Sequence, residues 1–491
     1  MAKIVFVHYE FRDRVGVMSL SAKLKQNGHQ TDVFCLEEER NAVESILKSK
    51  PDIVGFSACT SEHKFLLACA GELKKISPNL LILMGGPHAT FYPDVIKEPS
   101  VDITCRGESD DAIVELLDCL DNGTSFENIK NCCVKSNGNV KSNDVRPLIQ
   151  DLNSLPFPDR DIYFSKYPTL ANNPTKMFLG MRGCPFPCTY CFNMSMLKLY
   201  KGKGKYLRLR SPDNFVQEIK GVKERYFLKW VNINDDTFNV DREWLYEFLE
   251  IYKKEIALDF LCNIRVDCLD EEMVKCLKDA GCDRVIFGVE HGNEEIRKKI
   301  LKRNITDEQL INAGKWLRKY NIRVFTTNLA GLPGETVSNF FETVSINRKI
   351  GATKAGSFIL QPFPSTEIYD YSVSHGYLDK DYSVDDLFFT KSRYFSHEYV
   401  GSALKQKDIG KLIKYHYFFH YLVLYPWLEP FIKLLAILPN NRFFELVYKF
   451  PGLMKQLPYA QNNRERWGFV KRFLKILVRK IEIKNGMIPG N

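Results

Sequence analysis

Arg182-Gly183-Cys184-Pro185-Phe186-Pro187-Cys188-Thr189-Tyr190-Cys191 is the stretch on which the reading of this chain turns. Cys184, Cys188 and Cys191 stand four and three residues apart, so one loop can present three thiolates to a single iron–sulfur cube. Thiolate is the soft ligand that such clusters require. Three cysteines for four irons leave one iron open, and an open iron can bind a substrate directly. The competing reading is a zinc site, but zinc asks for four ligands, commonly two close pairs. No second pair follows at a suitable spacing, because Cys262, Cys268, Cys276 and Cys282 are spread over a strand and a helix. Cys184, Cys188 and Cys191 are therefore expected to hold a [4Fe–4S] cluster.

Around this loop, residues 175–377 read as six β/α units. Strands are expected near Lys176–Met181, Trp230–Asn234, Asp259–Asn263, Arg284–Val289, Val324–Asn328 and Ala355–Leu360. Helices lie between them, for example Pro212–Tyr226, Glu271–Ala280 and Glu335–Lys349. Six such units make a partial (β/α)6 barrel, whose active-site residues belong at the C-terminal strand ends. The cysteine loop directly follows the first strand. Asn263 and Arg265 end the third on the same rim, and for Arg265 a structural salt bridge and a site role stand as equal readings.

Upstream, residues 1–145 alternate short apolar strands with amphipathic helices. Strands are expected at Ile4–Val7, Thr31–Phe34, Ile53–Ser57, Leu80–Met84 and Asp102–Cys105, with helices such as Met18–Asn27 and His63–Lys75 between them. This is the pattern of a doubly wound, Rossmann-like parallel sheet that binds ligands at its carboxyl ends. Cys132–Asn143 reads as a hairpin. Residues 146–174 carry Pro147, Pro156, Pro158 and Pro168 with little periodicity, which suits an extended strap.

Downstream, residues 378–491 read as a helical C-terminal region rich in aromatics. From Gly401 onward 16 Lys and Arg face 5 Asp and Glu, a local net of +11, whereas the remainder carries 53 against 55, a net of −2. Charge confined in this way argues against a nucleic-acid surface. Tyr415–Leu438 is dense in aromatics but broken by charges and by Pro426 and Pro430, so it makes a poor membrane span. Arg466–Lys484 reads as a basic amphipathic helix suited to peripheral contact with an anionic membrane. The N-terminus reads as a first strand rather than a signal peptide. The expected compartment is reducing and cytoplasmic, where the 14 cysteines serve as thiols or ligands. Cys35, Cys59, Cys69 and Cys105 stand in apolar contexts and receive no role.

CxxxCxxC with an aromatic residue, Tyr190, before the last cysteine resembles the radical S-adenosylmethionine (SAM) superfamily. Three later segments resemble its further motifs in the same order. They are Asn234-Asp235-Asp236-Thr237-Phe238, Gly288-Val289-Glu290-His291-Gly292 (with His291 where serine is commoner) and Gly331-Leu332-Pro333-Gly334-Glu335. The resemblance implies that the open iron chelates SAM and that one electron, from an external low-potential donor, cleaves it to methionine and a 5′-deoxyadenosyl radical. It also implies that Tyr190, Asp235, Asp236, Glu290, Gly331, Gly334 and Glu335 lie near that cofactor.

The first region resembles the cobalamin-binding domain that precedes many such barrels, through Val15–His29, Pro51–Ser57, Gly85–Thr90 and Arg106–Asp110. The resemblance implies a cobalamin held by Ser57, Thr60, Ser61, Gly85, Gly86, His88, Gly107 and Glu108. It also implies no lower histidine ligand, because His8–Gly16 lacks D-x-H-x-x-G. The expected activity is cobalamin-dependent methyl transfer to an unactivated carbon or phosphorus centre of a small or lipid-linked molecule. The alternatives are an oxidative cyclisation or rearrangement without methyl transfer, and a non-enzymatic iron–sulfur protein.

Overall fold

The structure is a computed structural model that describes residues 1–136, 138–385 and 401–439, together with Phe444, Val447 and Tyr448. The expected basic helix Arg466–Lys484 lies outside the described residues. Two compact units emerge. Met1–Asn173 with Ser195–Leu209 forms one; Pro174–Met194 with the described residues from Arg210 onward forms the other.

In the first unit, β1 (Lys3–His8), β2 (Gln30–Cys35), β3 (Ile53–Ser57), β4 (Leu81–Gly85) and β5 (Ile103–Cys105) are parallel; β6 (Cys132–Ser136) and β7 (Asn139–Ser142) close the sheet antiparallel. The order is β2-β1-β3-β4-β5-β6-β7, so the chain reverses direction across the sheet between β2 and β3. The central strands are apolar on both faces. Ile4, Val5, Val7, Ile53, Val54 and Ile82 are buried to completion, as strands covered on both sides by helices must be. Each such side chain contributes about 1.5–3 kcal/mol. The helices are α1 (Val15–Gln26), α2 (Ala42–Lys48), α3 (His63–Ile76), α4 (Gly86–Phe91) and α5 (Asp110–Asn122), the last ended by Gly123 in the left-handed region.

The expected extended strap is more ordered than its prolines suggest. It contains α6 (Asp161–Phe164) and α7 (Pro168–Ala171), and it buries Ile162, Tyr163, Phe164 and Tyr167. Polar ends of these aromatics anchor it. The Tyr163 hydroxyl lies 2.8 Å from His8 Nε2, and the Tyr167 hydroxyl accepts from Cys35 N at 3.1 Å. Proline removed the periodicity, but the aromatic side chains supply the burial.

The second unit is a six-stranded parallel sheet in sequential order: β8 (Thr175–Phe178), β9 (Trp230–Ile233), β10 (Asp259–Asn263), β11 (Cys282–Glu290), β12 (Arg323–Ala330) and β13 (Lys354–Ile359). The chain enters α8 (Phe192–Leu199) in this unit and leaves it in the other; between the later strands run α9 (Pro212–Arg225), α10 (Arg242–Glu255), α11 (Glu271–Asp279), α12 (Glu294–Lys299), α13 (Asp307–Lys319) and α14 (Val337–Ile350). Their starts are dictated by caps. Ser211, Asp241, Asp270, Asn293, Thr306 and Thr336 each accept a backbone N–H from the first turn. Thr336 as cap explains why α14 begins two residues later than expected.

After α15 (Glu367–Ser374), the aromatic stretch splits where sequence predicted a break. α16 (Ile409–Leu424) ends before Pro426, and α17 (Glu429–Leu435) carries Pro430 in its first turn, where proline is tolerated. α16 packs on β13 and α14 through Leu412, Phe418, Phe419 and Leu422. No helix among the described residues is long and apolar enough to cross a membrane.

Candidate functional site

The cysteine loop lies at the C-terminal ends of the second unit's strands, and the segment after β9 holds it residue by residue. Asp235 accepts from the backbone N–H of Gly180 (2.9 Å) and of Met181 (3.0 Å), so it fixes the chain entering the loop. Asp236 accepts from Asn193 Nδ2 at 2.9 Å, and the same amide lies 3.6 Å from the Cys191 sulfur. Thr237 Oγ1 lies 3.6 Å from the Cys184 sulfur. Asn263, ending β10, donates to the Asp235 carbonyl at 3.0 Å.

Cys188 is buried and faces two cations. Arg265 Nη1 lies 3.8 Å from its sulfur and Arg303 Nη1 lies 3.9 Å away. Arg265 combines both readings of the sequence. It pairs with Asp267 at 2.8 and 3.0 Å, stacks 3.6 Å above the Phe186 ring, and still reaches Cys188.

Arg303 was not foreseen, and it organises the third motif. A register shift between Gly288 and Glu290 places Glu290 at φ +63°, in the left-handed region. Its carboxylate folds back over Gly288, where a Cβ would lie 1.9 Å from Glu290 Oε1. Only glycine permits this. Arg303 Nη2 donates to the Gly288 carbonyl at 2.6 Å. Burial pushes the Glu290 carboxyl above the usual range, while Arg303, the Tyr190 hydroxyl and Arg265 oppose that shift.

The fourth motif turns inward. Glu335 is buried; one oxygen accepts from Leu332 N at 3.0 Å, and the other lies 3.3 Å from His291 Nε2. His291 Nδ1 accepts from Asn293 N at 3.0 Å, which leaves the ring proton on Nε2, facing Glu335. The histidine that departs from the commoner serine thus brings the two motifs within 3.3 Å, with no hydrogen bond between the facing atoms. Gly331 and Gly334 both have φ +75°, and a Cβ on either would lie 3.0 Å from the same unit's own atoms, Ile409 Cδ1 and the Tyr377 hydroxyl. This turn is also packed against the protein's own side chains.

In the first unit the expected residues gather at the carboxyl ends of β3, β4 and β5. Gly86 (φ +87°) lets the β4 turn rest on the loop after β3, because a Cβ would lie 2.9 Å from the Ala58 carbonyl oxygen. Beside Gly85 there is room, since the nearest atom to a Cβ would be Cys105 O at 3.9 Å. His88 is buried, with Nδ1 3.3 Å from Thr60 Oγ1 and its ring stacked 4.3 Å from His63. Ser57 is tied by its carbonyl to Arg14 at 2.8 Å, and Ser61 sits half-buried on the same loop. Glu108, expected to face a ligand, pairs with Arg208 (3.1 Å to Nη1). Gly107 (φ +71°) makes room for Tyr200, whose hydroxyl accepts from Glu108 N at 2.7 Å. His8 is an interior residue: Nε2 meets Tyr163, while Nδ1 is buried without a partner.

These residues fit the groups that the motifs imply. At the cysteine loop, two guanidiniums, an amide and a hydroxyl approach the sulfurs, which matches thiolates bound to iron. Burial pushes the Cys191 thiol up to about 11 and raises that of Cys184, so a cluster held here would have to displace their protons. No three His, Cys, Asp or Glu side chains among the described residues converge as around one ion. A cube needs no such convergence, because each thiolate takes its own iron. Arg303 Nε is buried without a partner beside Glu290 and Cys188, an orphaned donor suited to an anionic group. In the first unit, the space at Gly85 and the hydroxyls of Thr60 and Ser61 fit a polar ligand that approaches backbone closely.

Comparison with known proteins bears on the family of the chain. The model of the radical SAM superfamily matches residues 179–345, and that of the B12 binding domain matches residues 7–117. An uncharacterised methyltransferase of Pyrococcus horikoshii is 30% identical over 374 residues, which is 74% of this chain and 79% of that protein. The anaerobic magnesium-protoporphyrin IX monomethyl ester cyclase of Rubrivivax gelatinosus is 28% identical over 72% of this chain and 65% of its own. In fold, the cobalamin-dependent SAM radical enzyme OxsB, solved with aqua-cobalamin and SAM, superposes with a TM-score of 0.68 at 16% identity over 99% of this chain and 77% of its own. The chain is an enzyme of the radical SAM superfamily, in the branch that carries a B12-binding domain before the radical SAM domain, and its cofactors are a [4Fe–4S] cluster, SAM and cobalamin.

Proposed function

We propose that this chain transfers a methyl group to an unactivated carbon or phosphorus centre of a small or lipid-linked substrate. The observation that carries this reading is the succession of a B12-binding match and a radical SAM match in one chain that shares 30% identity with an archaeal protein designated a methyltransferase. When bound, the three cofactors supply a radical that removes a substrate hydrogen atom and a methyl group that replaces it.

The chain's own residues then have definable tasks. Cys184, Cys188 and Cys191 hold three irons and leave the fourth open. Arg265 and Arg303 set positive charge beside the Cys188 sulfur, which favours the electron arriving from an external low-potential donor. Asp235 and Thr237 fix the loop's path. Glu290, Asp236 and Tyr190 offer polar groups to SAM at the strand ends. Thr60, Ser61 and the backbone at Gly85 hold the cobalamin.

The test is product analysis by mass spectrometry, using anaerobically reconstituted protein, cobalamin, a low-potential reductant and SAM labelled in its methyl group. Label on the corrin together with S-adenosylhomocysteine supports methyl transfer. The Rubrivivax relative gives specific ground for a second reading, an oxidative cyclisation. That reading expects 5′-deoxyadenosine without transferred label, a result that would displace the first.

A further inference from the structure

The segment beyond Pro426 is apolar on two opposite sides. Leu428, Ile432, Leu435 and Ala436 recur at i, i+4, i+7 and i+8 and pack into the cluster built by α14 and α16. Trp427, Phe431, Leu434 and Leu438 recur at i, i+4, i+7 and i+11 on the other side, with Ile437 beside them. These five are between 49% and 74% exposed. The solvent side of a helix docked on a soluble body is ordinarily polar. Single exposed apolar residues are ordinary as well, but five neighbours forming one stripe mark a contact surface.

The stripe is held rigidly outward. Arg348 of α14 donates to the Leu422 carbonyl at 2.6 and 3.0 Å and pairs with Glu429 at 3.0 Å. Glu429 also takes Lys433 at 2.7 Å. The anchored start of α17 therefore fixes which side chains face out.

Charge identifies the occupant. The stripe lies in the part of the chain that holds all of its excess positive charge, 16 Lys and Arg against 5 Asp and Glu from Gly401 onward. A second copy would bring the same excess of positive charge with it. An anionic bilayer offers the complement: acyl chains for Trp427, Phe431 and Leu434, and lipid phosphates for the excess of lysine and arginine that the sequence carries in this part of the chain. We infer that the Trp427–Leu438 stripe is a docking element that seats this protein in the headgroup region of an anionic membrane. The inference goes beyond methyl transfer and stands whether or not that reaction is the right one.

The test uses the full chain and sedimenting vesicles of phosphatidylcholine with about one third phosphatidylglycerol, against phosphatidylcholine alone. Binding to the anionic vesicles is expected, together with a loss of at least about tenfold in the variant Trp427→Ser/Phe431→Ser/Leu434→Ser. The surface control Ile76→Ser should bind like the parent. Vesicles with brominated acyl chains should quench fluorescence of the parent chain but not that component when Trp427 is replaced by Phe, a readout that does not depend on the triple variant folding. Failure of the parent to bind, equal binding by the triple variant, or a parent dimer that becomes monomeric in the triple variant without change in vesicle binding would each overturn the inference.

Discussion

The two rims of strand ends make their sites in different ways. In the second unit, charged and polar side chains converge on three sulfurs from every side: Asn193, Thr237, Arg265 and Arg303 each reach one. In the first unit, most polar side chains of the rim are already engaged with one another, as Glu108 is with Arg208 and His88 with Thr60. What remains there is chiefly the backbone and space at Gly85, beside the hydroxyl-bearing loop of Thr60 and Ser61. A site for a charged cluster is built from side-chain chemistry. A site for a large macrocycle is built from shape. Substitutions should therefore separate chemistry from stability on one rim and shape from stability on the other.

The largest effect is expected from Cys188→Ala. Iron measured per chain should fall from roughly four to background, and SAM cleavage should fall by more than about a thousandfold, a barrier increase of ~4 kcal/mol. Retention of cluster absorbance would break the assignment. Next comes Arg303→Met, which strands Glu290 in the interior; urea unfolding should lose about 3–5 kcal/mol, partly recovered by adding Glu290→Gln. Arg208→Met should cost about 2–3 kcal/mol, less because the Glu108 side chain keeps 18% exposure, and cobalamin retention by the folded fraction should not change. A drop in retention would return Glu108 to the ligand.

The neighbouring glycines give a finer test. Gly86→Ala should cost about 1–3 kcal/mol in stability, because φ is +87° and Ala58 is in the way. Gly85→Ala should stay within about 0.5 kcal/mol of the parent but release cobalamin more readily by equilibrium dialysis. Smallest at neutral pH is an opposed pH response. Burial first, and then Arg14, lowers His8 well below its usual 6.5, so its contribution is present above that value and fades as pH falls. Burial pushes Asp235 from its usual 3.8 up to about 8, so its contribution is present in acid and fades as pH rises through 8. Hydrogen exchange should show β1 losing protection in acid and the loop after β8 losing it in mild base. His8→Gln and Asp235→Asn should each flatten one trend.

The cysteine loop stands out in the sequence because three thiols at that spacing leave little choice of chemistry. The succession of strands and helices followed from apolar runs and the helical stretches between them, with strand ends shifted by up to three residues. Arg303 was not legible, since it lies 13 residues beyond Glu290 and only the shifted register at Gly288 brings the two together. Glu108 and Glu335 show the opposite difficulty. A carboxylate beside a glycine in a strand-end loop reads equally well as a ligand's partner and as a counter-charge for a distant cation or imidazole. Arg208 lies 100 residues beyond Glu108, and no local pattern links them. The strap misled through its prolines, which hid the contact between Tyr163 and His8.

Tyr200, lodged against Gly107, has a consequence for how the protein is made. The first unit is completed by Ser195–Leu209, which supplies Tyr200, Tyr206 and Arg208 to residues synthesised long before them. On the ribosome the sheet of this unit is finished before its last segment is made. That segment follows the cysteine loop in the chain, so the contacts of Tyr200, Tyr206 and Arg208 can form only after the loop has been made. A chain stopped at residue 173 would therefore carry all seven strands of its sheet yet leave Glu108 without its cation.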